Sequence, residues 1–392
     1  MYFDFFVNGV ILVLFCLFIY FSFGNRKKIR ASLENKKVRS ILIMILWTLL
    51  VVGIGLSIYF YPALDRGHDI NDAVEAASRH FIEGGNPYGD EVIPRFSERY
   101  HGPDTEIKND TYNYLPVSLF FYTGSYLILE HVGTYWFPLT NLILGLITAF
   151  VAWRTFPRAP IALLLPLISI VSLFFMFDNI MLTLFLVSIS MYFLVRSRHK
   201  YRYFFALSFL FLGVFVKMLG VIALAALFLY LIQRYRFKKK NVNIQLIVFV
   251  ILSITIAMAM VLPFGFQNVA DSTVFYFSDV ENRTSTSGYG GTLLTVILGD
   301  SPLFSIISDI LLVVIVFGSL LIKGLYRRMF VSESLLVLIT IKASQAIIVV
   351  PLYILLVIIL KTIYSEIDDD LGSLEKKKGK ITEANCHNRD PS

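Results

Sequence analysis

Asp69 heads a run, 69–83, in which Ile70, Ala73, Val74, Ala77 and Phe81 recur at helical spacing while Asp72, Glu75, Arg79 and Glu83 fall on the other face. The pattern predicts an amphipathic helix on a membrane surface. Asp69 would cap its start, Gly84 and Gly85 would end it, and Asn86-Pro87 would turn the chain away. A carboxylate there is ionised at neutral pH. Besides capping the helix, it can face both water and lipid headgroups. Lys217 and Lys342 interrupt apolar runs, where an ammonium is costly enough to mark a functional position unless it snorkels from a helix end. Arg283 lies in a second polar loop, where a solvated charge is the plain reading. Asp178 and Asn179 fall between two apolar blocks, where they suit a turn or a polar cavity equally. His68, His80 and His101 share the loop of Asp69, yet neither their spacing nor the placing of Cys16 and Cys386 makes a metal site. No Walker loop, nucleophile elbow or zinc-protease signature occurs.

The elements that must position these residues are set by composition. The chain is 56% hydrophobic and 16% charged, against about 25% charged in a soluble domain, and its mean hydropathy is +0.69. An ordinary cytosolic enzyme is excluded. Apolar blocks run over 5–23, 41–61, 115–129, 135–153, 161–177, 180–195, 203–232, 244–264, 304–322 and 335–364. A helix needs about 20 residues to cross a hydrocarbon core, so the blocks predict an all-α, polytopic transmembrane bundle of roughly ten to twelve spans. The first block is followed by basic residues and reads as a retained anchor. Beyond 365 the chain is charged and aperiodic, which predicts a disordered cytoplasmic tail over 366–392 after a membrane domain over 1–365.

The net charge of +7 does not point to nucleic acid, because the basic residues cluster between apolar blocks as topology signals. Arg26, Lys27, Lys28, Arg30, Lys36, Lys37 and Arg39 face a single acid, Glu34, between the first two blocks. That loop is cytoplasmic, as are those with Arg234, Arg236 and 238–240, and with Lys323, Arg327 and Arg328. Loops 63–113 and 265–302 then lie outside, and each carries a glycosylation-type triplet, Asn109-Asp110-Thr111 and Asn282-Arg283-Thr284. Arg154, Arg158 and the cluster at 196–202 also look cytoplasmic, but two outer loops require an even number of crossings between them. One long helix over 203–232 satisfies parity and leaves 196–202 outside. A hairpin turning at Lys217 satisfies it only if 115–153 crosses once. The single helix is preferred here.

Residues 69–88, with Glu75-Ala76-Ala77 and Gly84-Gly85-Asn86-Pro87-Tyr88, are followed by Tyr112-Asn113-Tyr114-Leu115-Pro116. Together they resemble the first outer loop of the GT-C membrane glycosyltransferases. Within these the chain is most similar to family 87, whose members include polyprenyl-phosphate-mannose-dependent α-mannosyltransferases. Asp178-Asn179, Lys217, Arg283 with Ser285 and Ser287, and Lys342-Ala343-Ser344-Gln345 before Pro351 follow in the same order. The chain departs from the pattern at Leu115, where a second proline is common, and lacks the paired Asp-x-Asp of some relatives. A divalent metal therefore stays an open alternative, and no other cofactor is implied.

The resemblance implies an inverting hexosyltransferase of GT-C type in the plasma membrane, its site on the non-cytoplasmic side. A sugar, mannose in the relatives, would pass from a polyprenyl phosphate to a lipid-linked or extracytoplasmic glycan. It assigns Asp69 as general base and Arg283, Lys217, Lys342, Gln345, Asn86, Tyr88, Tyr114, Asp178 and Asn179 as substrate-binding residues. The alternative from residue types alone is a transporter or flippase for an amphipathic substrate. The two membrane counts have a direct check in reporter fusions at Arg198 and His131. A single helix over 203–232 puts Arg198 outside, and a hairpin puts it in the cytoplasm.

Overall fold

The structure, a computed structural model, describes residues 31, 34–64, 69–92, 111–163, 166–167, 179–217, 220–235, 240–275, 303–322, 324–339 and 349–364. Among these all regular structure is helical: α1 (Lys36–Leu64), α2 (Asp69–Ile82), α3 (Pro116–Leu129), α4 (Trp136–Thr155), α5 (Ile180–Val195), α6 (Arg202–Lys217), α7 (Val221–Tyr235), α8 (Lys240–Val261), α9 (Leu303–Gly318), α10 (Leu325–Ile339) and α11 (Val349–Tyr364). Asp178, Arg283, Lys342, Gln345, the first apolar block and the tail lie outside the described residues, and Asp69 is described by its backbone alone.

The core is built around α5. It is apolar on every side, and a helix of that kind must be covered on every side. Ile180, Met181, Leu184, Val187 and Met191 are accordingly almost wholly buried, under α4, α6 and α11. Its two serines are satisfied locally or across the helix pair: Ser188 Oγ donates to the Phe185 carbonyl at 2.7 Å and Ser190 Oγ to the Ala206 carbonyl of α6 at 2.8 Å, while the buried Thr183 hydroxyl has no hydrogen-bond partner among the described residues.

Trp136–Thr155 and Lys240–Phe264 are long and apolar enough to cross a membrane. The two differ in cover: 56% of the apolar window of the first is buried and 11% of the second. Ile244, Ile247, Ile251, Ile254 and Met258 of α8 face outward. A stripe of that length on a chain with +0.69 mean hydropathy needs an apolar medium around it.

The block at 203–232 is two helices and not one. α6 ends at Lys217 and α7 begins at Val221, with Gly220 at φ +87° between them. The hairpin closes at its open end, where Tyr203 Oη and Tyr235 Oη share a hydrogen bond of 2.8 Å. The preference for one long helix is therefore corrected. The physical cause is the positive φ, which only glycine adopts without steric cost and which reverses the chain after a helix C-terminus; Lys217, three residues earlier, is the one mark of the turn in the apolar pattern.

α2 forms over 69–82 as its periodicity predicts, but its buried face is Asn71, Val74, Ala77 and Ser78. The expected lipid-facing side is covered by protein, because α3 packs along it. Phe81 meets Phe120 edge-on at 5.6 Å, the Arg79 guanidinium lies 5.6 Å from the Tyr126 ring, and Trp136 Nε1 donates to Glu75 Oε2 at 3.2 Å. The two α2–α3 pairs run in opposite directions along the helices, so α3 lies antiparallel to α2, and the Glu75–Trp136 bond ties the start of α4 to α2 as well. α3 in turn exposes Phe120, Leu127 and Ile128.

Gly220→Ala is expected to destabilise the hairpin by about 1–2 kcal/mol, because alanine pays the left-handed penalty that glycine does not. A lower apparent melting temperature of the detergent-solubilised chain measures it; an unchanged value would mean that the turn rearranges freely.

Candidate functional site

Five of the sequence-selected residues come together where α3 begins. Asn86 organises the turn after α2. Its Nδ2 donates to the Phe264 carbonyl at 2.9 Å, its Oδ1 accepts the Tyr88 amide at 3.2 Å, and its own amide donates to Asp90 Oδ2 at 2.8 Å. This is an Asx turn locked at both ends. The same Asp90 oxygen lies 2.7 Å from His80 Nε2. Gly85 makes that pair possible, since a Cβ on it would stand 2.1 Å from His80 Nε2.

Tyr88 is 2% exposed and Tyr112 1%. Burial pushes both phenols above their ordinary range, Tyr88 well above it, so both remain donors. Tyr88 Oη donates to the Tyr114 carbonyl at 2.8 Å and the Tyr112 amide to the Pro87 carbonyl at 2.8 Å. The Tyr88, Tyr112 and Tyr114 rings meet edge-on at 5.7 and 5.5 Å, and Tyr88 meets Phe264 at 5.0 Å. Edge-on packing matches ring edges to ring faces and fixes the segment more firmly than area alone.

Beneath this layer Tyr112 Oη donates to Ser118 Oγ at 2.9 Å, and Asn179 Nδ2 reaches the same oxygen at 3.4 Å. Asn179, at the start of α5, is wholly buried and its Oδ1 has no hydrogen-bond partner among the described residues. Lys217 Nζ, at the tip of the α6–α7 hairpin, lies 5.6 Å from the centre of the Tyr114 ring. A cation over an aromatic face is held electrostatically, and the C-terminus of α6 also favours positive charge.

Asn86, Tyr88, Tyr114, Asn179 and Lys217 thus form one neighbourhood from four separate segments. Asp69 opens α2, the helix that ends in this turn. The arrangement offers an ammonium, a buried amide and a wall of phenols at one end of the helical core, suited to an anionic and hydroxyl-bearing ligand. Among the described residues no group of three or more His, Cys, Asp or Glu side chains is placed to hold a metal ion.

Sequence reasoning missed two parts. Asp90 is one: Asn-Pro-Tyr-Gly-Asp places a carboxylate four residues after an Asx turn, a local signal that could have found it. Phe264 is the other, and its carbonyl joins the site only through folding. Compared with models of protein families, with curated proteins and with solved structures, the chain matches none.

His80 and the Asn86 amide hold the Asp90 carboxyl below the usual carboxylate range. A depressed value means that the clamp is fully present above the ordinary aspartate pKa of about 3.9 and is lost as pH falls through the lower folded value. Hydrogen exchange at the Asn86 amide should stay protected down to that ordinary value and open only below it. In Asp90→Ala the amide should exchange freely at every pH; protection that persists in the variant would remove Asp90 as its partner.

Proposed function

We propose that the chain is a polytopic membrane glycosyltransferase of GT-C type, inverting, which moves a sugar from a polyprenyl phosphate to a hydroxyl of a lipid-linked or extracytoplasmic glycan. The observation that carries the reading is the convergence of Asn86, Tyr88, Tyr114, Asn179 and Lys217, chosen from the sequence for that chemistry, at one end of the core.

The helix pattern supports the membrane arrangement the reaction needs. With 203–232 as a hairpin, parity asks 115–153 to cross once, and α3 lying along α2 meets that requirement. The Phe120, Leu127 and Ile128 stripe of α3 suits the lipid boundary, with α2 riding on it. The basic clusters at 26–39, 154–158, 196–202, 234–240 and 323–328 then share the cytoplasmic side without exception, over about eleven crossings. Loops 63–113 and 265–302 share the other side, in keeping with the bond between Asn86 and Phe264.

In the reaction the acceptor oxygen attacks the anomeric carbon opposite the phosphate, so the configuration inverts. The acceptor proton passes to the Asp69 carboxylate. The bond from the anomeric carbon to the phosphate oxygen breaks with its electron pair, and Lys217 and Arg283 stabilise the departing lipid phosphate. No oxidant or reductant is required.

The test is turnover of a labelled polyprenyl-phosphate mannose with glycan acceptors by the purified chain. Asp69→Asn is expected to lower kcat by about 10²-fold or more while the chain stays folded, and Lys217→Met to weaken donor use. Unchanged turnover in Asp69→Asn would remove it as the base. Movement of the lipid-linked sugar across sealed vesicles with no chemical product would replace the reading with a flippase.

A further inference from the structure

At the opposite end of α7 from Lys217, about 20 Å along the helix, lies a cavity of about 370 Å³. Tyr230, Gln233 and Arg234 of α7, Leu320 and Ile322 after α9, and Gly324 and Arg328 beside α10 line it. We propose that this cavity binds a phosphate group, as a monoester or diester, between Arg328 and Arg234. The proposal is independent of glycosyl transfer.

Arg328 carries the case. It is 2% exposed, yet every acceptor found for it is a neutral dipole. Nε donates to the Ile322 carbonyl at 3.3 Å, and Nη2 to Gln233 Oε1 at 2.7 Å and to the Ile322 and Leu320 carbonyls at 3.1 and 3.2 Å. The Tyr230 ring lies 5.5 Å from its guanidinium carbon. Nη1 is buried with no hydrogen-bond partner among the described residues. Of the ion pairs described, Arg79 with Glu75 and His80 with Asp90, none involves Arg328.

Capping the end of α9 accounts for Nε and Nη2. It accounts for neither the idle Nη1 nor the charge. A buried cation facing only carbonyls is expensive, and removing the expense takes an anion. Arginine's planar fork suits phosphate oxygens. Arg234 adds a second guanidinium on the rim, exposed and free to swing inward, and Gln233, already engaged by Nη2, keeps the fork in register. The cavity falls at the small end of ligand pockets, about 300–1,000 Å³, enough for a head group and too small for an acyl chain. Basic pockets between helices at the cytoplasmic boundary are where phospholipid phosphates are met. Free phosphate offers the same oxygens.

The experiment uses the full chain, purified and stripped of lipid in a neutral detergent. Calorimetric titration and thermal unfolding are followed with inorganic phosphate, with short-chain phosphatidylglycerol, and with phosphatidylglycerol of full length in nanodiscs. Saturable binding of phosphate alone assigns a free phosphate; binding that needs the lipid assigns a head group. Either supports the proposal. Arg234→Gln, on the exposed rim and harmless to folding, should weaken binding about tenfold, the worth of one charge-assisted hydrogen bond. Arg328→Lys, which keeps the charge and loses the fork, should weaken it at least as much. Arg327→Gln, exposed and outside the cavity, should bind like the wild type. No saturable binding of either ligand, wild-type affinity in Arg234→Gln, or an equal loss in Arg327→Gln would overturn it.

Discussion

The side chain of Asn86 joins parts of the chain 178 residues apart, and the region where α2 ends and α3 begins is arranged around that bond. One amide holds the turn after α2 to the end of α8, orders the turn internally through Tyr88, and leaves its backbone amide to Asp90. Asparagine suits the task because it donates and accepts on one short, planar group. Aspartate would lose the bond to a carbonyl, and glutamine would reach past it.

The same economy governs the interior. Where few charges are available, hydroxyls and amides must find partners within the bundle. Thr140, Thr148 and Thr155 of α4 each return a hydrogen bond to the carbonyl one turn earlier, at 2.7–2.8 Å, while Tyr122 Oη donates to Asn141 Oδ1 at 2.8 Å. Polar contacts between elements gather at the turn after α2 and at the hairpin's open end, where Arg202 Nη2 joins the Tyr203–Tyr235 pair. Of the buried polar atoms left without a partner among the described residues, most are hydroxyls; the Nη1 of Arg328 is the one on a charged group, and the Oδ1 of Asn179 is one of two on an amide. Arg328 and Asn179 both lie at helix ends, where ligands gain access without opening the apolar core.

The two ends of α7 differ in what they present. Near Lys217 stand phenols, an amide and one ammonium, a surface that grips hydroxyls and tolerates one anionic group. Near Arg234 stand two guanidiniums and a glutamine, a surface that grips oxyanions more strongly. A short apolar helix thus separates two polar environments by its own length, each built from residues of several helices.

Sequence alone determined the helical class, the extent of α2 and the turn at Asn86-Pro87, because periodicity and turn chemistry are local signals; Asn86, Tyr88, Tyr114 and Asn179 stood out as binding residues only through the resemblance to the GT-C pattern, and Lys217 also as a charge within an apolar run. Sequence did not determine that 203–232 doubles back, since Gly220 in an apolar stretch resembles any other small residue until its φ is known. Nor could it show what α3 packs on: fourteen apolar residues serve equally as a short crossing or as a cover for α2, and the pairing of Phe81 with Phe120 and of Arg79 with Tyr126 lays it along α2. The face of α2 that is buried, the recruitment of the Phe264 carbonyl and the burial of Arg328 were likewise decided by tertiary structure. Each depends on which distant helix arrives at that surface, and no spacing along one helix encodes its neighbour.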